Sequence, residues 1–240
     1  MKNTKLYTLS LLILLTIGLT SCFNRFDCVR ANAPIQEEVR ELPAFTSVDH
    51  RFSGDVHIMQ GNEQSVIVKG AANILPQVRT FVDGESLYID IQGCVTNLGS
   101  LDIYVTMPEI RGVQVAASGN IYGQNTWSVD QIDLNILGSG NIQASIEGEE
   151  VRTNIEGSGD IELSGTCTNH LANINASGKI ESFDLISNTC EVSIDGSGVC
   201  QVHVLDSLDV SITASGDVYY KGNPIVNSHI SGSGKIKHVE

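Results

Sequence analysis

The sequence predicts an all-β chain, a right-handed parallel β-helix-like solenoid with coils of about 18–21 residues, read from the period of its internal repeat. Two observations carry that prediction. Ser-Gly recurs at Ser118, Ser139, Ser158, Ser177, Ser197, Ser215 and Ser233, at intervals of 21, 19, 19, 20, 18 and 18 residues, with an earlier copy at Ser53-Gly54. Around each Ser, the position three before reads Val115, Ile136, Ile155, Ile174, Ile194, Ile212 and Ile230. The position three after reads Ile121, Ile142, Ile161, Ile180, Cys200, Val218 and Ile236, and the position seven before reads Arg111, Ile132, Val151, His170, Cys190, Leu208 and Val226. Apolar columns two residues apart imply strands with alternating faces, and β-branched residues suit a pleated, half-buried surface. One such unit cannot bury its apolar side alone, whereas stacked copies can. Coils stacked at about 4.8 Å give the seven copies an axial span of roughly 29 Å. Right-handed winding is the rule for parallel crossovers.

Each segment can then be justified in chain order. Lys2 and Lys5 precede an uncharged run from Leu6 to Leu19, which ends in Leu19-Thr20-Ser21-Cys22. A basic start, a short apolar stretch and a small-small-Cys ending read as a lipoprotein signal peptide over residues 1–21. Cys22 is then the lipid-attachment residue. Residues 22–43, with Asn24, Asn32, Pro34, Glu37, Glu38 and Pro43, lack an apolar period and read as a lipid-anchored flexible tether. Residues 44–240 form the folded body, with 44–110 less regular and 111–240 the Ser-Gly repeats. Within the irregular part, strands are expected at Asp55–Met59, Ser65–Lys69, Val78–Val82, Leu87–Ile91 and Leu101–Met107. Asp83-Gly84 signals a tight turn and Ala71–Gln77 one helical turn.

Composition limits the function. The chain has Lys+Arg 14 against Asp+Glu 28, a net charge of −14. Loss of residues 1–21 would remove two lysines and no acid, leaving −16. Phosphate binding needs clustered basic residues, so nucleic acid is excluded as a partner, as is docking on anionic lipid through a basic face. Membrane attachment is expected through the N-terminal lipid alone, where two or three acyl chains anchor stably.

Chemistry-bearing residues give little. A hydrolase elbow needs Gly-x-Ser-x-Gly with a unique serine. Seven near-identical Gly/Ala-Ser-Gly corners are a structural ladder. No pair among His50, His57, His170, His203, His229 and His238 has i,i+4 zinc spacing, and no Cys-x-x-Cys accompanies them. The expectation is no metal and no cofactor, with His170 a satisfied core residue. One period brings Glu162 beside Glu181, which reads first as a solvated ladder, the alternatives being a retaining-glycosidase pair or a cation site. Asp160 beside Lys179 and Asp217 beside Lys235 read as exposed cross-coil ion pairs. Among five further cysteines, Cys190 and Cys200 occupy inward columns as buried thiols. Cys167 and Cys190 lie in adjacent coils at similar register and are the candidate disulfide. Tyr122 and Tyr219 share the outward column four after the Ser, about five coils apart.

Two segments carry a family resemblance. Phe45-Thr-Ser-Val-Asp-His-Arg-Phe-Ser-Gly-Asp-Val-His-Ile-Met-Gln-Gly61 resembles the opening of the head GIN domain of putative auto-transporter adhesins. Ile103-Tyr-Val-Thr-Met-Pro108, then Val115-Ala-Ala-Ser-Gly-Asn-Ile121, resembles its middle, and the repeated Gly-Ser-Gly-Asp/Asn-Ile its C-terminal half. The likeness covers residues 44–240. It implies secreted or lipid-anchored proteins of Bacteroidetes-type bacteria, a β-helix-like fold and no catalytic residue. Together these readings give a non-enzymatic, lipid-anchored cell-envelope protein, located at the outer membrane and facing the periplasm or the surface. Its solenoid would serve adhesion or present a face to an unknown glycan or protein. The alternatives are a carbohydrate-active β-helix enzyme, either polysaccharide lyase or glycosidase, and a purely structural envelope component.

Overall fold

The computed structural model describes residues 28–240, so the expected signal peptide, the expected lipid-attachment residue Cys22 and the start of the expected tether lie outside the described residues. The strands are β1 (Val29–Arg30), β2 (Ile35–Val39), β3 (Ser47–His50), β4 (Asp55–Gln60), β5 (Ser65–Ala71), β6 (Val78–Asp83), β7 (Ser86–Ile91), β8 (Val95–Asn97) and β9 (Asp102–Met107). They continue as β10 (Gly112–Val115), β11 (Asn120–Ile136), β12 (Ile142–Ile155), β13 (Asp160–Ile174), β14 (Lys179–Ile194), β15 (Val199–Ile212), β16 (Asp217–Lys221), β17 (Ile225–Ile230) and β18 (Lys235–His238). One 3-10 turn spans Leu75–Gln77, inside the expected helical turn. The five strands expected between residues 55 and 107 all form, and Gly84 turns the β6–β7 hairpin at φ +60°.

From β11 onward the strands stack in parallel, coil on coil, as the repeat predicts. Ile155 lies opposite Ile174, and Ile174 opposite Ile194. All three are fully buried, while Glu156, Asn175 and Asp195, one place on, are exposed. The apolar columns are the interior of the solenoid. The glycine of each Ser-Gly keeps an ordinary negative φ, so its value is space rather than backbone freedom. A Cβ at Gly178 would stand 2.7 Å from Ile155 Cγ2, and one at Gly234 would stand 2.8 Å from Ile212 Cγ2. The branched methyl of one coil sits in the notch that the next coil's missing Cβ leaves.

The column two after the Ser has a backbone role. Asn141 N–H donates to Asn120 Oδ1 (3.2 Å), Asp160 N–H to Asn141 Oδ1 (3.0 Å), Lys179 N–H to Asp160 Oδ1 (3.1 Å) and Lys235 N–H to Asp217 Oδ1 (3.0 Å). Each Asn or Asp thus satisfies a corner amide of the coil above. This corrects the expected Asp160–Lys179 and Asp217–Lys235 ion pairs. Those carboxylates take a backbone N–H, and the Lys179 ammonium turns to Glu181 instead.

The earlier Ser-Gly copy belongs to the same stack. β3 pairs with β10 and β4 with β11, so Ser53-Gly54 lies next to Ser118-Gly119 despite the long stretch of chain between them. Residues 61–111 leave the stack after β4 and return at β10, building the end of the solenoid on the way. β7 and β9 stack on the far side of β3 and β4, and β6, β5 and β2 complete the end in antiparallel pairing. The 3-10 turn carries buried Leu75 across this end, beside buried Ile74.

Two expectations need correction here. Residues 28–43 are not a tether: β1 pairs with β8, β2 pairs with β5, and Cys28 is disulfide-bonded to Cys94. The missing apolar period misled because β2 lies on the sheet edge, with all five residues exposed. Cys167 and Cys190 are free and buried, as is Cys200. Cys167 faces Ser187 and Cys190 faces His170, so the two thiols are three residues out of step along the strands. That offset is on the order of 10 Å, beyond the reach of a disulfide.

Candidate functional site: exposed rows and a groove

Parallel register lines up outward side chains as it does inward ones. One row crosses Val39, Ile67, Tyr104, His57, Tyr122, Gln143, Glu162, Glu181, Gln201 and Tyr219. Its first half is apolar and aromatic. The His57 ring stacks on Tyr104 (4.8 Å, 17°) and on Tyr122 (5.6 Å, 23°). His57 Nδ1 meets the Gln124 amide at 3.2 Å, and Nε2 meets Asp102 Oδ1 at 3.5 Å. The rings spend their faces on one another and offer edges outward, and Tyr104 remains 40% exposed. Burial, then Asp55, raises the Tyr122 hydroxyl above its usual range. This three-ring row escaped the sequence reading, which matched Tyr122 with Tyr219 only. A usable signal existed, because His57 stands four after Ser53, in the column of Tyr122.

A second row of rings lies at the end of the other face. Phe81 stacks on Tyr88 at 5.1 Å, Arg79 lies over Phe81 at 4.9 Å, and Arg51 lies over Tyr88 at 4.6 Å. Asp90 holds Arg79, and Asp49 holds Arg51 through two bonds of 2.9 and 2.6 Å. Arg79 and Asp90 face each other across the β6–β7 hairpin, so this charge-assisted pair fixes the guanidinium over its ring.

The predicted pair Glu162 and Glu181 does lie side by side. Both sit on an open sheet face, and the Lys179 ammonium occupies Glu181. His170 is buried and bonds Thr153 Oγ1 at 3.1 Å, and burial pushes it down to about 4. His50 is likewise buried, with Nε2 2.8 Å from Gly54 O and its pKa about 4. The three thiols are raised by burial, Cys167 to about 11 and Cys200 to about 12. All are inert core groups at neutral pH. Among the described residues, no group of three or more His, Cys, Asp and Glu side chains could hold a metal ion.

A groove of about 510 Å³ runs between Gln60, Pro108–Arg111 and the Ser128–Asp133 part of β11. It is polar, and Arg111 in it is bound to Glu109 at 2.7 Å.

A parallel solenoid with ordered side-chain rows, closed at one end by antiparallel pairing and a disulfide, is the architecture of a β-solenoid repeat protein. The chain belongs to the family described as putative auto-transporter adhesin, head GIN domain, whose model matches residues 44–224. Solved structures share the fold. A putative adhesin from Bacteroides fragilis is 23% identical, covers 88% of this chain and 100% of its own, and superposes with a TM-score of 0.82. A protein from Parabacteroides distasonis named a putative lipid binding protein is 23% identical over 88% of this chain and 99% of its own, with a TM-score of 0.75. A putative adhesin from Parabacteroides merdae is 20% identical over 89% and 100%, with a TM-score of 0.72. No curated protein matches the chain.

Proposed function

We propose that this chain is a lipid-anchored cell-envelope protein whose solenoid presents a ligand-binding face and catalyses nothing. The observation that carries the reading is the row Tyr104–His57–Tyr122, three stacked side chains held on three paired strands. Such a row loses little side-chain entropy on contact, and its exposed ring edges and hydroxyls suit a glycan or a protein surface. Family membership among adhesins supports the same reading. Cys22 is the proposed lipid carrier, and the described body begins six residues later, at Cys28. The anchor then holds the disulfide-bonded end close to the outer membrane and leaves the coils to project.

Two measurements test this reading. Glycan and protein arrays probed with the protein should show binding without turnover, weakened at least tenfold in Tyr104→Ala/Tyr122→Ala. Product release from any bound glycan would sink the non-enzymatic reading. Cys22→Ser should abolish acyl labelling and membrane retention, and an equally retained, labelled variant would refute the anchor.

A further inference from the structure

The groove beside β11 has the outline of a strand missing from the stack. In the next three coils the middle segment rests on the one below it, as Ser145–Gly148 of β12 rests on Thr126–Val129 of β11. Beneath Thr126–Val129 there is no strand among the described residues. β4 follows β11 only along Asn120–Gly123, and β10 takes it up again only at Asp133. The gap arises because the chain turns from β4 into β5 after Gln60, and from β9 into β10 through Pro108–Arg111, without laying down a middle segment.

Side-chain amides fill the start of that gap. Gln60 Oε1 accepts Ser128 N–H at 2.7 Å, and Gln60 Nε2 donates to Ser128 O at 3.0 Å. Asn125 returns the exchange on the Gln60 backbone, with Oδ1 accepting Gln60 N–H and Nδ2 donating to Gln60 O, each at 2.9 Å. Each amide does the work of one peptide unit of an absent neighbour. The imitation stops at Ser128. The next backbone bond on this edge is Asp133 N–H to Arg111 O, at 3.0 Å. Val129, Asp130 and Gln131 between them line the open groove. A strand edge left free in this way is a template for another chain.

Charge selects the chain. The groove holds Glu109, Asp130 and Asp133; Glu109 is bound by Arg111, which also lies 3.9 Å from Glu85, and Asp133 lies 3.6 Å from Arg152. Asp130 is exposed and has no ion-pair partner among the described residues. We infer that this groove is a docking site for an extended, basic segment of a partner protein, which adds as the missing strand beside Val129–Gln131. Backbone pairing gives the affinity, and the unpaired Asp130 carboxylate chooses a lysine or arginine side chain. The site is separate from the Tyr104–His57–Tyr122 row and does not depend on it.

The test is an amide-resolved NMR titration of the isotopically labelled protein with the peptide acetyl-Lys-Val-Lys-Val-Lys-Val-Lys-amide. Saturable shifts are expected at Val129–Gln131 and Glu109–Arg111, and not at Tyr104 or Tyr122. The same peptide N-methylated at alternate residues should lose binding, because its backbone can no longer pair. The Glu-for-Lys peptide should not bind. Asp130→Lys, on an exposed side chain, should weaken binding about tenfold or more, and Tyr104→Ala should leave it unchanged. Shifts elsewhere, no shift at all, equal binding of the N-methylated or acidic peptide, or shifts at these amides only with maltohexaose would each overturn the inference.

Discussion

Ile174 is the sharpest probe of the stack. It is fully buried, between Ile155 and Ile194 in one inward column. Ile174→Ala removes three carbons, a transfer loss of about 2.4 kcal/mol at about 0.8 kcal/mol per methylene. Neighbours above and below are fixed by backbone ladders, so the space closes only in part. A residual cavity on the order of 50 Å³ adds about 1.2 kcal/mol. The expected cost is about 3.5 kcal/mol, and the melting temperature should fall by roughly 7–14 °C for a body of this size. The control is the next residue. Asn175 is exposed, and Asn175→Ala should change stability by under about 0.5 kcal/mol. Thermal and urea unfolding of both variants against the parent measure the difference. Equal costs, or an Ile174→Ala cost below about 1 kcal/mol, would mean that the column does not face the interior. A register slip of one residue would turn every side chain over, so the whole alternation rests on this comparison.

Three other outcomes follow from the same geometry. Gly198→Ala should destabilise strongly, because its Cβ would lie 2.5 Å from Ile174 Cγ2 and 2.6 Å from Gly178 O. In an Ile174→Ala background the first clash disappears, so unfolding should show a smaller added cost; full additivity would refute the notch. The Cys28–Cys94 disulfide spans 66 residues, and opening it with Cys28→Ser should cost about 4 kcal/mol by loop entropy, read as an unfolding midpoint that no longer responds to reductant. Burial lowers His50 and His170 from 6.5 to about 4, so between these values the unfolded chain binds more protons. Stability is then full above about pH 6.5 and declines as pH falls to about 4, by about 3 kcal/mol per histidine. His170→Leu should flatten that decline in unfolding curves, and an unchanged pH slope would remove His170 as its source.

The interior was readable because it is periodic. Ile155, Ile174 and Ile194 recur at one offset from Ser-Gly, and a column of identical apolar residues has one physical meaning. The end of the solenoid was not readable in that way. β2 carries Gln36, Glu37 and Glu38 on an edge where nothing requires alternation, and so passed for a tether. Cys28 meets Cys94 through a fold-back that no repeat interval encodes. The aromatic row fell between the two cases. Tyr122 and His57 share a column relative to their Ser-Gly corners, but Tyr104 has no corner of its own and joins them only through the β4–β9 pairing. The groove beside β11 was hidden for a related reason. It is defined by a strand that is missing, and a sequence displays only the residues that are present.

The placement of Ser53-Gly54 beside Ser118-Gly119 also orders the folding reaction. Each coil from β12 onward closes a loop only one repeat long on its neighbour, however long the solenoid becomes. The first coil must instead wait for a partner several repeats further along the chain, as Ser47 does for Gly112. Closing that longer loop costs about 1 kcal/mol more, by the logarithmic growth of closure entropy. Contacts between close positions form sooner than distant ones. The uniform coils are therefore expected to nucleate, and the disulfide-bonded end to assemble on them afterwards. A Cys28–Cys94 bond formed early would reverse this sequence, because it holds the distant segments near each other before the coils form. The redox state of the compartment in which the chain folds thereby decides which end folds first.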